Sequence, residues 1–227
     1  MLATSELCAV HGRNALHSIS AAPERAPAAA PVYLSTLTLS PSHLAAARDL
    51  ASPYELHRTL ARVFGDAKPG ADRFLWRQED RTILVQSTTR GDWQTLEEGY
   101  CEALETDRAR ALADVTAPDA RWGFRLSANP TVRRGGQRVG IARPYEALLW
   151  LHRQGLSGGF RIEHASMQKI ERLEIHNART QARMRFIRAS FEGVLTVRDN
   201  ELFGAALARG LGHGKSFGMG LVVLTPV

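Results

Sequence analysis

Cysteine occurs only at positions 8 and 101 of 227 residues, and there is no C-x-x-C pair. Two thiols cannot build a disulfide framework, so a packed core has to hold the fold, as expected of a protein from a reducing, cytoplasmic setting. The eight histidines are scattered, with no H-x-x-x-H pair and no clustered carboxylates beside them, so neither a metal nor another cofactor is expected. No apolar run approaches the roughly 20 residues of a membrane span, which excludes a helical membrane anchor as a partner-seeking device. Lysine is scarce as well. Arginine makes up most of the 29 basic residues, and its planar five-donor fork fits phosphate better than a point charge does.

A complete P-loop is also missing. Residues 208–227, ARGLGHGKSFGMGLVVLTPV, carry Gly214-Lys215-Ser216 inside a glycine cluster. The ATP-binding pattern G-x-x-x-x-G-K-[ST] requires glycine at 209, where Arg209 stands. Its context is reversed too: ELFGAALA before the loop reads as a helix and GLVVLTPV after it as a short strand. A nucleotide-dependent enzyme is therefore disfavoured. Consecutive glycines still let backbone N–H groups approach an anion, and Lys215 adds charge.

What the chain does have is uneven positive charge, +6 in all. Within residues 1–31 Glu6 and Glu24 cancel Arg13 and Arg25, so the excess belongs to the remainder. Between Arg121 and Arg153 seven arginines face one acid, Glu146. Such a patch calls for a polyanionic partner, nucleic acid first.

Residues 1–31 end in AAPERAPAAAP, without apolar periodicity, and read as a disordered extension. Order is expected from VYLSTLTL (32–39), a strand. SPYELHRTLARVFG follows as a helix: Ser52 caps it, Pro53 fills the first position, Glu55 completes a capping box, and Gly65 ends it. Leu56, Leu60, Val63 and Phe64 form its buried stripe. RFLWRQ and RTILVQST read as a hairpin around Glu79-Asp80, followed by a weaker helix near Trp93–Ala103 and the strand WGFRLSANP. This β-α-β-β-α-β order is that of a ferredoxin-like unit. The rest repeats it: a helix at RPYEALLWLHRQG, strands near 159–164, 181–188 and 190–197, a helix at 200–209 and a last strand at 220–225. The expected class is α+β, with tandem ferredoxin-like (RRM-like) βαββαβ domains at 32–130 and 131–227.

On the helix opened by Pro53, Tyr54 and His57 stand three residues apart on one face, turned away from the apolar stripe. A Tyr–His pair with arginines nearby has the chemistry to cleave RNA, because the ribose 2′-OH is an internal nucleophile. The protein then supplies a general acid or base and neutralises the phosphorane.

Four stretches carry a resemblance: YLS on the first strand, SPYELHRTLARVF on the first helix, FRLSANPT at 124–131, and FEGVLTVRD leading to GLGHGKSFGMGLVVLTP. In this order and spacing they resemble the precursor-RNA processing endoribonucleases of the type I-E CRISPR Cascade complex, the CasE/Cse type, from about residue 32 to 227. The resemblance implies tandem ferredoxin-like folds, metal-independent cleavage at the base of a CRISPR repeat hairpin, and a product ending in a 2′,3′-cyclic or 3′-phosphate. It also implies retention of the mature guide RNA beside other Cascade subunits. By it His57 is the catalytic histidine, Tyr54 its assistant, and Lys215 and Ser216 lie beside that helix near the RNA backbone.

The remaining RNA-binding candidates come from placement. Arg62 lies on the same helix, one turn beyond Arg58. Arg133, Arg134 and Arg138 sit in RRGGQRVG, a loop able to follow a phosphate backbone. Arg183 and Arg185 share one strand face, with Arg188 opposite. His213 stays outside the catalytic set. The competing reading is a non-catalytic RNA-binding subunit of the same fold, which has no need of the Tyr54–His57 pair.

Overall fold

The computed structural model describes residues 31–65, 74–177 and 182–227; the expected extension lies outside them apart from Pro31. Eight of the strands form two antiparallel four-stranded sheets. The first takes β1 (Val32–Leu39), β2 (Phe74–Glu79), β3 (Thr82–Ser87) and β4 (Cys101–Arg110) in the spatial order β2-β3-β1-β4. The second takes β5 (Arg121–Ala128), β8 (Phe160–Asn177), β9 (Ala182–Val197) and β10 (Val222–Thr225) in the order β10-β5-β9-β8. In both, the first strand in sequence is central and flanked by the third and the fourth. A short hairpin, β6 (Thr131–Arg134) and β7 (Gln137–Gly140), stands apart as a two-stranded ribbon.

The helices α1 (Leu44–Ala51) and α2 (Pro53–Val63) cover one face of the first sheet. There Leu56 and Leu60 join Leu37, Leu39, Trp76 and Ile83 in a buried cluster. Helices α3 (Ala113–Thr116), α4 (Pro144–Ser157) and α5 (Asn200–Arg209) serve the second, where Trp150, Leu151, Phe203 and Leu207 pack with Phe124, Leu126 and Phe191. The other faces of the two sheets meet. There Glu79 on β2 pairs with Arg125 on β5 at 3.3 Å. The Gln86 amide of β3 also reaches α5, donating to Leu207 O at 2.9 Å.

Three expectations are corrected. The helix near Trp93–Ala103 is only a 3-10 turn, Trp93–Thr95; Gly99 at φ +76 breaks the run and Cys101–Arg110 becomes β4. CEALETDRAR has helical propensity, but its backbone pairs with β1, and tertiary pairing overrides local preference. WGFRLSANP was expected to close the first unit, whereas β5 is hydrogen-bonded to β9 and β10 of the second sheet. The strands expected near 181–188 and 190–197 are one continuous β9, and β8 runs through the aperiodic stretch 168–177. Helix α1 was not foreseen. The hairpin at Glu79-Asp80 is present, with Asp80 in the left-handed region at φ +55.

Candidate active site

Helix α2 begins where Ser52 accepts from the Glu55 backbone N–H at 3.4 Å, with Pro53 in the first turn. Only half of the capping box forms: the Ser52 N–H donates to Asp49 O, and the Glu55 carboxylate pairs with Arg58 at 3.0 Å. The helix is fastened from below by a fully buried carboxylate, Asp49 of α1. It accepts from Thr59 Oγ1 of α2 at 2.5 Å and from Tyr100 OH at 2.9 Å, and pairs with Arg48 at 2.7 Å.

Tyr54 is half-buried, with the Arg58 guanidinium 6.0 Å above its ring. His57 is not the surface side chain its helical angle implies. Its ring stacks on Phe74 of β2 at 5.1 Å, Phe74 stacks on Phe64, and Phe64 meets Trp93 edge-on. Its Nδ1 is buried and finds no hydrogen-bond partner among the described residues. Burial disfavours the imidazolium and lowers the His57 pKa from the ordinary value of 6.5. At neutral pH the ring is therefore an uncharged base. Periodicity missed Phe74 as a support because it lies on another element; aromatic residues at a strand start were the only available signal.

The same linkage bears on stability. Because the unfolded chain binds the proton more readily, stability is present above the ordinary histidine pKa and is lost as pH falls through it. We expect the melting temperature to drop from pH 7 towards pH 5, with His57→Gln flattening that part of the profile. A wild-type profile as flat as the variant's would contradict the burial.

The glycine-rich segment reaches the same helix. A 3-10 turn, Lys215–Phe217, packs against α2 and β2. Gly214 (φ +84) and Gly218 (φ +73) bracket it in the left-handed region. A Cβ at Gly218 would lie 2.7 Å from the Trp76 ring, so the glycine permits the turn to sit directly on β2. The Lys215 ammonium donates to Gly212 O at 2.8 Å, and Phe217 packs on Phe186 of β9 at 4.8 Å. Tyr54, His57, Arg62, Lys215 and Ser216 thus stand on two adjoining elements. Arg62, exposed, donates to Thr59 Oγ1 at 3.3 Å.

The other arginines lie elsewhere. Arg133 and Arg138 are cross-strand partners on the β6–β7 hairpin, which is exposed at both positions; Arg134 lies 3.5 Å from Glu146. The hairpin adjoins the glycine segment, because Arg133, Arg138 and His213 line one cavity of about 250 Å³. Burial, then the charges of Arg138 and Lys215, lower the His213 pKa. Arg183 and Arg185 are exposed on β9, and Arg185 pairs at 2.9 Å with its cross-strand neighbour Glu174. Arg188, on the opposite face, is half-buried and looks towards the first sheet.

Among the described residues no group of three or more His, Cys, Asp or Glu stands together as a metal-holding cluster, and no helix is long and apolar enough to cross a membrane. Cys101 is a free thiol whose pKa burial raises to about 11.

Two antiparallel sheets, with the helix that carries Tyr54 and His57 seated against the glycine-bracketed turn that carries Lys215, define an α+β protein. The chain belongs to the CRISPR-associated protein family, whose model matches residues 32–226. It is 36% identical to the CRISPR-associated endoribonuclease Cse3 of Thermus thermophilus, over 86% of this chain and all of that protein. It is 26% identical to the Cascade subunit CasE of Escherichia coli, over 86% of this chain and all of that one. A solved structure of Thermus thermophilus Cse3 bound to an RNA representing a pre-cleavage complex superposes with a TM-score of 0.78, at 36% identity, covering 86% of this chain and all of the other.

Proposed function

We propose that this protein is an endoribonuclease that cuts CRISPR repeat hairpins in precursor RNA and keeps the mature guide RNA within a cytoplasmic Cascade assembly. The observation carrying the reading is the packing of α2, with Tyr54 and His57 in its first turns, against the Lys215–Phe217 turn. The likeness to Cse3 and CasE supports the substrate and the partners. The strand orders also support two ferredoxin-like units, each with its fourth, first, third and second strand side by side. The boundary between the units then falls between Arg110 and Arg121, ahead of β5.

The chemistry follows from the groups on α2 and the turn. Neutral His57 takes the proton of the ribose 2′-OH, whose oxygen attacks the adjacent phosphorus. The bond to the 5′-oxygen breaks, leaving a 2′,3′-cyclic phosphate and a 5′-alkoxide that takes a proton from water to become the 5′-hydroxyl, while His57 returns its proton to solvent. Tyr54 donates a hydrogen bond to the reacting phosphate. Arg62 and Lys215 neutralise the extra charge of the phosphorane, and preorganised donors aimed there contribute most of such acceleration. The exposed Arg133, Arg134, Arg138, Arg183 and Arg185 bind the hairpin backbone, and Ser216 adds a hydroxyl donor. The 2′-OH is the nucleophile, so no metal-bound water is needed for the attack.

The test is incubation of the protein with its host's repeat RNA in excess EDTA. We expect one cut per hairpin and a 2′,3′-cyclic phosphate at the new end. Binding without a cut would leave the RNA-binding subunit as the function. Cleavage lost in EDTA and restored by magnesium would overturn the mechanism.

A further inference from the structure

Where the two sheets meet, beside the first turn of α2 and the Phe217–Gly218 corner, lies a cavity of about 200 Å³ that the mechanism above does not use. Arg77 of β2 and Lys169 and Arg188 of the second sheet line it. Its charges do not balance. Glu79 serves both Arg77 (Nε to Oε1, 2.8 Å) and Arg125 (3.3 Å), while Glu171 serves both Lys169 (2.7 Å) and Arg188 (3.7 Å). Four cations share two carboxylates.

The donors are also under-used. Among the described residues, Arg77 Nη1 and Arg188 Nε are buried without a hydrogen-bond partner, and so is Nε1 of Trp76, a residue only 1% exposed that also lines the cavity. The Arg77–Glu79 contact brings charges together without hydrogen-bond alignment, since Glu79 Oε1 itself has no aligned donor. A buried donor left unpaired costs about 1–3 kcal/mol, and more when charged. Burial, opposed by Glu79, lowers the Arg77 pKa, with Arg125 and Arg188 adding to the depression; burial likewise lowers that of Arg188. An anion in the cavity would balance the cationic side chains of Arg77, Lys169 and Arg188 that line it.

We infer that this cleft is a second phosphate site, which takes a backbone phosphodiester of the single-stranded RNA flanking the hairpin. The inference rests on the RNA reading proposed above and adds to it a single-stranded flank of the hairpin. The volume is below the roughly 300–1,000 Å³ of small-molecule pockets, so it admits a phosphate with part of a ribose and not a whole nucleotide. Pro53 and Gly218 on its rim make it continuous with the α2 site, so an RNA strand passing α2 enters it next.

The experiment measures affinity for the host's repeat hairpin alone, and for the same hairpin extended by a single strand at its 5′ or 3′ end. Arg188→Gln and Lys169→Ala are expected to weaken binding of one extended RNA about tenfold and to lower its salt slope by about 1, leaving the bare hairpin unchanged. The Lys169 side chain is 65% exposed, so its loss does not threaten the fold if Arg188→Gln does. Equal losses on all three RNAs, or no loss on any, would overturn the inference. So would an extension that adds no affinity while inorganic phosphate raises the melting temperature of the wild type but not of Arg188→Gln, because the cleft would then hold a free anion. Wild-type protein that binds none of the RNAs would remove the RNA reading itself, and this site with it.

Discussion

His57→Ala is expected to slow single-turnover cleavage of repeat RNA by about 10²–10⁴-fold, the usual contribution of a positioned general base, while leaving affinity for the hairpin nearly intact. The separation of the two effects follows from where the ring sits. His57 is held by Phe74 from below and carries no charge at neutral pH, so it offers a phosphate backbone little attraction. The cations proposed to attract RNA, such as Arg133 and Arg138, stand on another element. Tyr54→Phe keeps the ring under Arg58 and loses only the hydroxyl, so its loss of rate is smaller. His57→Ala also deletes a stacking partner of Phe74. Melting curves of the variant are therefore needed beside the rates. Cleavage within a few-fold of wild type by a folded His57→Ala protein would take His57 out of the mechanism.

Asp49→Ala is expected to destabilise the protein by about 2–5 kcal/mol, because two buried hydroxyls lose their acceptor at about 1–3 kcal/mol each. The carboxylate is fully buried and receives the Thr59 and Tyr100 hydroxyls as well as the Arg48 guanidinium. Its removal leaves two buried hydroxyls without their acceptor, and a void among α1, α2 and the start of β4. Tyr100 is itself 2% exposed; burial first, and then the neighbouring Asp49, raise its pKa, so it stays a neutral donor. Asp49→Asn keeps the volume and an acceptor oxygen, and should recover part of the loss. Urea unfolding would read both, with an unchanged slope if the denatured state is unaffected. A loss below about 1 kcal/mol for Asp49→Ala would show that the cluster is not what seats α2. Because Thr59 lies on α2 and also receives Arg62 at 3.3 Å, the same cluster steadies the helix that carries the candidate chemistry.

Much of the local structure was legible from residues close in sequence. Ser52-Pro53 announced the start of α2, Leu56 and Leu60 announced its buried face, and the Glu79-Asp80 corner announced the hairpin, because caps, stripes and turns are set by neighbours a few positions apart. The failures share one cause. CEALETDRAR is helical by propensity and became β4 because β1 offered it a ladder, and WGFRLSANP joined β9 and β10 because sheet partners are chosen across the chain.

The candidate site divides along the same line. That Tyr54 and His57 share a helical face, that the basic excess lies outside residues 1–31, and that the glycine segment is not a P-loop were all determined by the sequence itself, since each depends on spacing or composition. That His57 rests on Phe74, that Lys215 and Ser216 come to stand beside α2, and that Arg77 and Arg188 face one another across a cleft were decided only when two sheets met. Burial and electrostatic environment are properties of that meeting. No residue carries them alone.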